Sequence, residues 1–316
     1  MRTRVFFASD IHGSKKCFIK FVNAAKFYKA DVLILGGDIT AKIVVPVIKQ
    51  PDGSYECEFM NKKLSIKTEK ELDMWVDRIE SSGNYVYITD YKEMEELRSE
   101  KKRANEIWLE LIKESLRKFV SIAEQRLKGS HVRLFATGGN DDPPVVEEVL
   151  RGSDYIVYAE GKCVEIDNFH EMISTGYSNM TPWHCPRDIP EEELAKKIDD
   201  MASRVRDLKN CIFNFHCPPY DSGLDTAMEL DGQLKVVVRH GQPSFIPVGS
   251  KAVRSAIEKY QPLLGLHGHI HESRGAVKIS RTLCLNPGSE YSEGLLRGII
   301  VELDRKGIKD YMFTCG

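Results

Sequence analysis

Two unbroken apolar runs near the start, Val5-Phe6-Phe7-Ala8 and Val32-Leu33-Ile34-Leu35, constrain this chain most. Unbroken rather than alternating runs of this length read as strands buried on both faces of a sheet. Between them Phe18, Phe21, Val22 and Ala25 recur on one face of a segment over 14–28, with lysines opposite, which predicts a helix. Strand, helix, strand is a βαβ unit, so the fold class is α/β.

The rest of the chain extends this pattern. Strands are predicted at Val132–Ala136, Cys211–Phe215 and Leu263–Leu266, with helices at Ala104–Leu127, Pro190–Leu208 and from Ser250 to Tyr260. Four β-like runs follow, at 276–279, 282–285, 298–303 and 309–313, and their succession suggests a second sheet. Residues 43–103 have a different texture: a hairpin around Pro51-Asp52-Gly53, a charged helix over 69–81, a strand at 85–89 and a charged run from Lys92 to Arg103. They read as an insertion, a candidate cap, within a single domain over 1–316. The charged run reads as a solvated helix face.

Composition bounds the function. Of the 316 residues 42% are hydrophobic and 29% charged, which excludes a disordered or collagen-like chain. No apolar run approaches the roughly 20 residues of a membrane helix, and the apolar start meets Asp10 too early for a signal peptide. A cytoplasmic location and no membrane partner are therefore expected. The formal charge of -2 argues against a nucleic-acid partner. The eight cysteines form no Cys-x-x-Cys pair, so a structural zinc site is not expected and the thiols read as reduced.

Five apolar runs each end in residues able to ligate a metal: Asp10-Ile11-His12, Gly37-Asp38, Gly139-Asn140, His216, and Gly268-His269-Ile270-His271. In α/β sheets ligands bind beyond the carboxyl ends of the strands. Taken singly, Asp10 would be a turn cap, Asp38 a turn residue and His216 a core histidine. Together they form one donor set. Alternation places His269 and His271 on the same face of an extended segment. Two carboxylates, one amide and four imidazoles, with no thiolate, suit Mn, Fe, Zn, Co or Ni. Seven donors suffice for two divalent ions if one carboxylate bridges them, a spacing of about 3.5–4 Å that clamps in-line displacement at phosphorus. Two such ions outweigh the two carboxylates, so the site attracts an anion such as a phosphate-ester substrate. No dinucleotide or Walker fingerprint and no Gly-x-Ser-x-Gly turn is present, so water is the expected nucleophile.

The ordered blocks D-x-H, G-D, G-N, H and G-H-x-H resemble the calcineurin-like metallophosphoesterase superfamily, over Asp10 to His271. The resemblance implies a four-layer αββα sandwich of two mixed sheets. It implies that Asp10, His12 and His271 hold one ion, that Asn140, His216 and His269 hold the other, and that Asp38 bridges, with manganese favoured. It implies hydrolysis by a hydroxide shared between the ions, with Asp38, Asn140 and Asp141 as catalytic residues and Asn140 and His216 on the substrate phosphate. One departure stands out: Asp141 occupies the place where many members carry a histidine that protonates the leaving group. Members without it often favour diesters, so a phosphodiesterase is expected, with a phosphomonoesterase, a nuclease or a non-catalytic scaffold as alternatives.

Other candidates carry blander expectations. Asp142 supports the site from behind. His267 is structural. His170, His184 and His240 are surface or core residues, with replacement of the missing acid as the alternative. Asn286-Pro287-Gly288-Ser289 is a structural turn. Tyr177, Trp183 and Tyr220 pack loops, with substrate stacking as the alternative.

Overall fold

The computed structural model describes residues 2–316. It opens with strand β1 (Arg2–Ala8), helix α1 (Lys15–Phe27) and strand β2 (Val32–Leu35), with β1 and β2 parallel from Val5↔Val32 to Ala8↔Leu35. The Ser14 hydroxyl starts α1 by accepting the Cys17 N–H at 3.3 Å. The apolar face of α1 is buried, and Phe18 stacks on Phe119 with ring centroids 4.2 Å apart.

Residues 43–103 build a small sheet of their own. It contains β3 (Val44–Lys49), β4 (Tyr55–Phe59), β5 (Lys62–Ile66), helix α2 (Glu69–Ser81), β6 (Tyr85–Thr89) and helix α3 (Tyr91–Ser99). The strand order is β5-β4-β3-β6, and β3 and β4 are antiparallel around the Pro51-Asp52-Gly53 turn. Val47, Ile66 and Ile79 are the heart of its separate core. The charged run divides between α3 and the start of α4 (Lys101–Leu127), so that helix begins earlier than Ala104. Arg103 lies 2.6 Å from Glu93 and 3.1 Å from Glu96 across the join.

The main body continues with β7 (Arg133–Ala136), α5 (Val145–Arg151), β8 (Ile156–Tyr158), β9 (Cys163–Glu165), β10 (Glu171–Thr175) and α6 (Glu191–Ala202). Helix α6 stops at Ala202, short of the expected Leu208, because the Arg206 N–H and guanidinium are drawn to the Glu171 carboxylate at 2.9 Å. Next come β11 (Cys211–Phe215) and two short ribbons, β12 (Thr226–Met228) with β15 (Phe245–Pro247), and β13 (Val238–Arg239) with β14 (Gln242–Pro243). Then follow α7 (Lys251–Tyr260), β16 (Leu264–Leu266), β17 (Gly275–Ile279), β18 (Thr282–Asn286), β19 (Arg297–Asp304) and β20 (Gly307–Cys315).

Two six-stranded mixed sheets result, ordered β20-β19-β1-β2-β7-β8 and β17-β18-β16-β11-β10-β9. Phe7, Ile34, Phe135, Met172, Ile212 and Leu266 fill the space between them. Helices α1, α4 and α5 cover the outer face of the first sheet, and α6 and α7 that of the second. This is a four-layer sandwich. The last four strands do not form one sheet, as their succession suggested. Strands β17 and β18 join the second sheet, whereas β19 returns to lie antiparallel to β1, with Val5 opposite Val301. The reason is packing: Ile299, Val301 and Leu303 share the inter-sheet core with Val5 and Phe7. Among the described residues no helix is long and apolar enough to cross a membrane.

Candidate metal centre

Strands β1, β2 and β7 run parallel in one sheet and β10, β11 and β16 in the other, so their carboxyl ends share one rim. The loop after each of five of them carries one motif block. Asp10 and His12 follow β1, Asp38 follows β2, Asn140 and Asp141 follow β7, His216 follows β11, and His269 and His271 follow β16.

The rim loops are held in unusual backbone shapes. Asp10, His12, Asp38 and His269 have φ of 55°, 39°, 48° and 66°. That region costs a non-glycine residue about 1 kcal/mol or more, and it persists only where surroundings enforce it. The enforcement is visible. The Asp142 carboxylate accepts the N–H groups of Ile39, Thr40 and Gly139 at 2.8–3.1 Å and so ties the loop after β2 to the loop after β7. The Ser289 hydroxyl donates to the Asp10 carbonyl at 2.6 Å, and the Asn286 amide donates to the Gly268 and Ile270 carbonyls at 3.3 and 3.0 Å. Two glycines leave necessary room: a Cβ at Gly139 would overlap Asp38 Oδ1, and one at Gly268 would overlap Ser9 and Asp10.

The donor atoms converge. Asp10, His12 and His271 offer atoms that all lie within 4.8 Å of one another, as do Asp38, His216 and His269. His12, Asp38 and Asp141 form a third such group. His12 Nε2 is 3.1 Å from His271 Nε2 and 3.5 Å from Asp38 Oδ2. His216 Nε2 is 3.4 Å from Asp38 Oδ1 and 3.8 Å from Asp10 Oδ1, and His271 Nε2 is 3.4 Å from Asp10 Oδ1. Asn140 lines the same cavity as Asp38, His269 and His271.

The buried carboxylates and imidazoles perturb one another strongly. Burial pushes Asp38 up to about 7 against the pull of His216. Burial alone would lower His216, but the Asp38 and Asp10 carboxylates push it up to about 10. In the protein alone, a proton on His216 supplies the positive charge between two buried acids. Burial would raise Asp10 too, yet His216, His271 and His12 hold it well below the usual carboxylate range. Burial lowers His12 and His269 to about 3, leaving neutral imidazoles with free lone pairs.

The residues fit divalent cations. The buried His216 Nε2 and Asn140 Oδ1 have no hydrogen-bond partner, although buried polar atoms are nearly always satisfied. Asp188 accepts the Asn140 amide N–H at 3.1 Å, which turns the amide oxygen free. A nitrogen–oxygen set of this kind, with no thiolate, suits first-row divalent ions.

A two-sheet sandwich with all five blocks on one rim decides the fold. It is the four-layer fold that the resemblance of these blocks implied. No family model matches the sequence. The uncharacterized protein MJ1162 of Methanocaldococcus jannaschii is 31% identical over 156 residues, 49% of this chain. The matched stretch spans 62% of that relative's length. One solved structure, 16% identical, aligns over 100% of this chain and 99% of its own with a TM-score of 0.56. The protein TT1561 of Thermus thermophilus, 14% identical, aligns over 100% and 99% with a TM-score of 0.51. At these identities the likeness concerns the fold alone.

The remaining candidates separate on this frame. His267 is buried against the Phe215 carbonyl at 2.9 Å, and burial lowers it to about 4. His170 pairs with Asp167 at 2.9 Å, and His184 and His240 are exposed; none of the four lines the cavity. Tyr177 packs under Arg187 and Lys197 and Tyr220 under Lys251, whereas Trp183 lines the cavity. Residues 43–103 contribute nothing to the cavity lining among the described residues; loops 179–185 and 227–248 border it instead. Sequence reasoning missed Lys42, whose ammonium contacts the Asp141 carboxylate at the cavity wall. It also missed Tyr291, whose ring is 4.6 Å from that of His12, and Cys185, which donates to Asp141 at 2.8 Å. Lys42 stands four residues beyond Asp38 with nothing in its spacing to mark it; its role comes from the loop's path.

Proposed function

We propose that this chain is a metal-dependent phosphoric ester hydrolase that takes two divalent cations, manganese favoured, and acts on phosphodiesters. Asp10, His12 and His271 hold the first cation, Asn140, His216 and His269 the second, and Asp38 bridges. The observation that carries this reading is the convergence of these donors with unpartnered buried atoms facing inward. Bound divalent cations supply Lewis-acid charge at the phosphoryl oxygens and activation of the attacking water.

The chain's own residues do the rest. Asp188 fixes the Asn140 amide so that its oxygen, not its nitrogen, faces the site. Burial opposes the charge on Lys42, but Asp38 and Asp141 hold its pKa above the ordinary value, so it presents a permanent cation to a phosphoryl oxygen. Asp141, buried but dominated by Lys42 and Cys185, is lowered to about 2; it stays ionised and orients Lys42 rather than donating a proton. A monoanionic diester suits one lysine beside a fixed carboxylate better than a dianionic monoester does. Burial and the bond to Asp141 push the Cys185 thiol up to about 12, so it is no nucleophile, which supports water in that role. The eight free cysteines support a reducing, cytoplasmic setting.

Elemental analysis of the purified protein, paired with chromogenic mono- and diesters, tests the reading. Two equivalents of metal and preferential diester turnover are expected. Asp38→Ala loses metal and turnover together; full activity in that variant overturns the assignment.

A further inference from the structure

The cavity that holds the candidate centre does not end there. It encloses about 630 Å³, far more than a phosphate group fills, and its two ends differ in chemistry. One end is the polar rim already described. The other is walled by Met180, Pro182, Trp183, Met228, Ile246 and Val248. These come from the loop after β10 and from the β12–β15 ribbon, two segments brought together only at this cavity.

Four of these side chains are unusually exposed for their size: Trp183 61%, Met180 49%, Met228 44% and Ile246 37%. Scattered exposed apolar residues are ordinary, but a contiguous set lining a concave wall marks a contact surface for a ligand. The polar groups at this end are already spent. Asn179 donates to the Val248 carbonyl at 3.3 Å and accepts from Ser178 and Cys217 at 3.2 and 3.1 Å. The Thr181 hydroxyl donates to Asp188. Among the described side chains at this end only the Trp183 indole N–H and the Glu272 carboxylate carry no hydrogen bond, too few to read the hydroxyls of a sugar or the edge of a base. The one charged group near that end, Glu272, is an exposed carboxylate that repels a second anion.

We propose that the substrate's esterified alcohol is an uncharged apolar group, a hydrocarbon chain or ring, lying along the Trp183–Ile246 wall while its phosphate meets the polar rim. This rests on the phosphoesterase reading and deepens it. Hydrolysis then forms a new P–O bond from water and breaks the P–O bond to the apolar alcohol. The bonding pair leaves with that oxygen, which takes up a proton from water. The wall holds the departing alcohol, not the phosphate.

The test is calorimetric titration of the metal-loaded full chain with methyl-, butyl- and octylphosphonate as their methyl esters, monoanionic like a diester and carrying the chain on a P–C bond that water does not break. Affinity is expected to rise by about fourfold per added methylene until the wall is covered, by the usual value of burying a CH₂ group. Trp183→Ala, at an exposed position that folding does not need, flattens that slope, and Ile246→Asp flattens it further. Equal affinity for methyl- and octylphosphonate overturns the proposal, as does absence of octylphosphonate binding, or tighter binding of a nucleoside or glycerol phosphonate. A dimer that Ile246→Asp dissociates assigns the wall to a second copy and also overturns it. Failure of the underlying reading looks different: no ester of any kind is hydrolysed with metal bound, whatever the phosphonate slope.

Discussion

The two ends of one cavity are built on opposite principles. The rim carries charged and polar groups in near-complete burial, on backbone bent into costly shapes and tied by Asp142, Asn286 and Ser289. The far wall carries large apolar groups in partial exposure, on a loop and a ribbon of three-residue strands. Donor geometry for a cation tolerates little displacement, so the rim is over-determined. Contact with an apolar group is non-directional, so the wall needs only shape and area. The difference teaches which end of the cavity must hold fixed distances and which needs only to offer area.

That contrast can be broken most sharply at Gly139. Gly139→Ala drives a methyl group into Asp38 and should cost about 1–3 kcal/mol of stability by overpacking. Metal content and turnover should fall together; a variant with normal metal content and melting temperature would show the rim to be looser than described. Next, Lys42→Met should keep its metal yet lose about 100-fold in kcat/KM, the scale of removing one preorganised charge-stabilising group. Lys42→Arg should recover part of that loss, and unchanged kinetics in Lys42→Met would remove the lysine from the site.

Away from both ends, Asp167 closes the β9–β10 turn. Burial would raise its pKa, but hydrogen bonds from Thr3, His170 and Phe169 hold it below the ordinary carboxylate value. A lowered folded pKa means that its stabilisation is present above about pH 4 and fades as pH falls through the folded value. Thermal melts of the protein and of Asp167→Asn should therefore differ at neutral pH and converge in acid. The smallest effect belongs to the far ribbon: Val238→Thr, at a 60% exposed position, should change stability by no more than ~0.5 kcal/mol. A large loss there would make the ribbon part of the rigid frame.

The rim was legible in the sequence because each donor follows an apolar strand, and the strand announces where its carboxyl end lies. Asp10, Asp38 and His216 needed no more than that. The wall was not legible. Strands such as Thr226–Met228 are too short to show a period, and Met228 and Ile246 meet only after the chain has doubled back. Lys42 was hidden for a similar reason, since a lone lysine after Asp38 has no distinguishing spacing. The destination of β19 was equally unreadable: an apolar run says that it is buried, not beside which neighbour. The left-handed backbone at Asp10, His12, Asp38 and His269 belongs to the same class, because tertiary contacts impose it on residues with no preference for it.

The return of β19 to the side of β1 has a consequence for how the molecule is made. Val5 waits for Val301, and Asp10 waits for the His269 backbone N–H and the His271 ring. During synthesis the first strand therefore leaves the ribosome long before its antiparallel neighbour exists. The nascent chain carries one half of its buried carboxylate and imidazole cluster with no other half to close it. Assembly of that cluster is a late event, and it reports that the distant segments of the polypeptide have found each other.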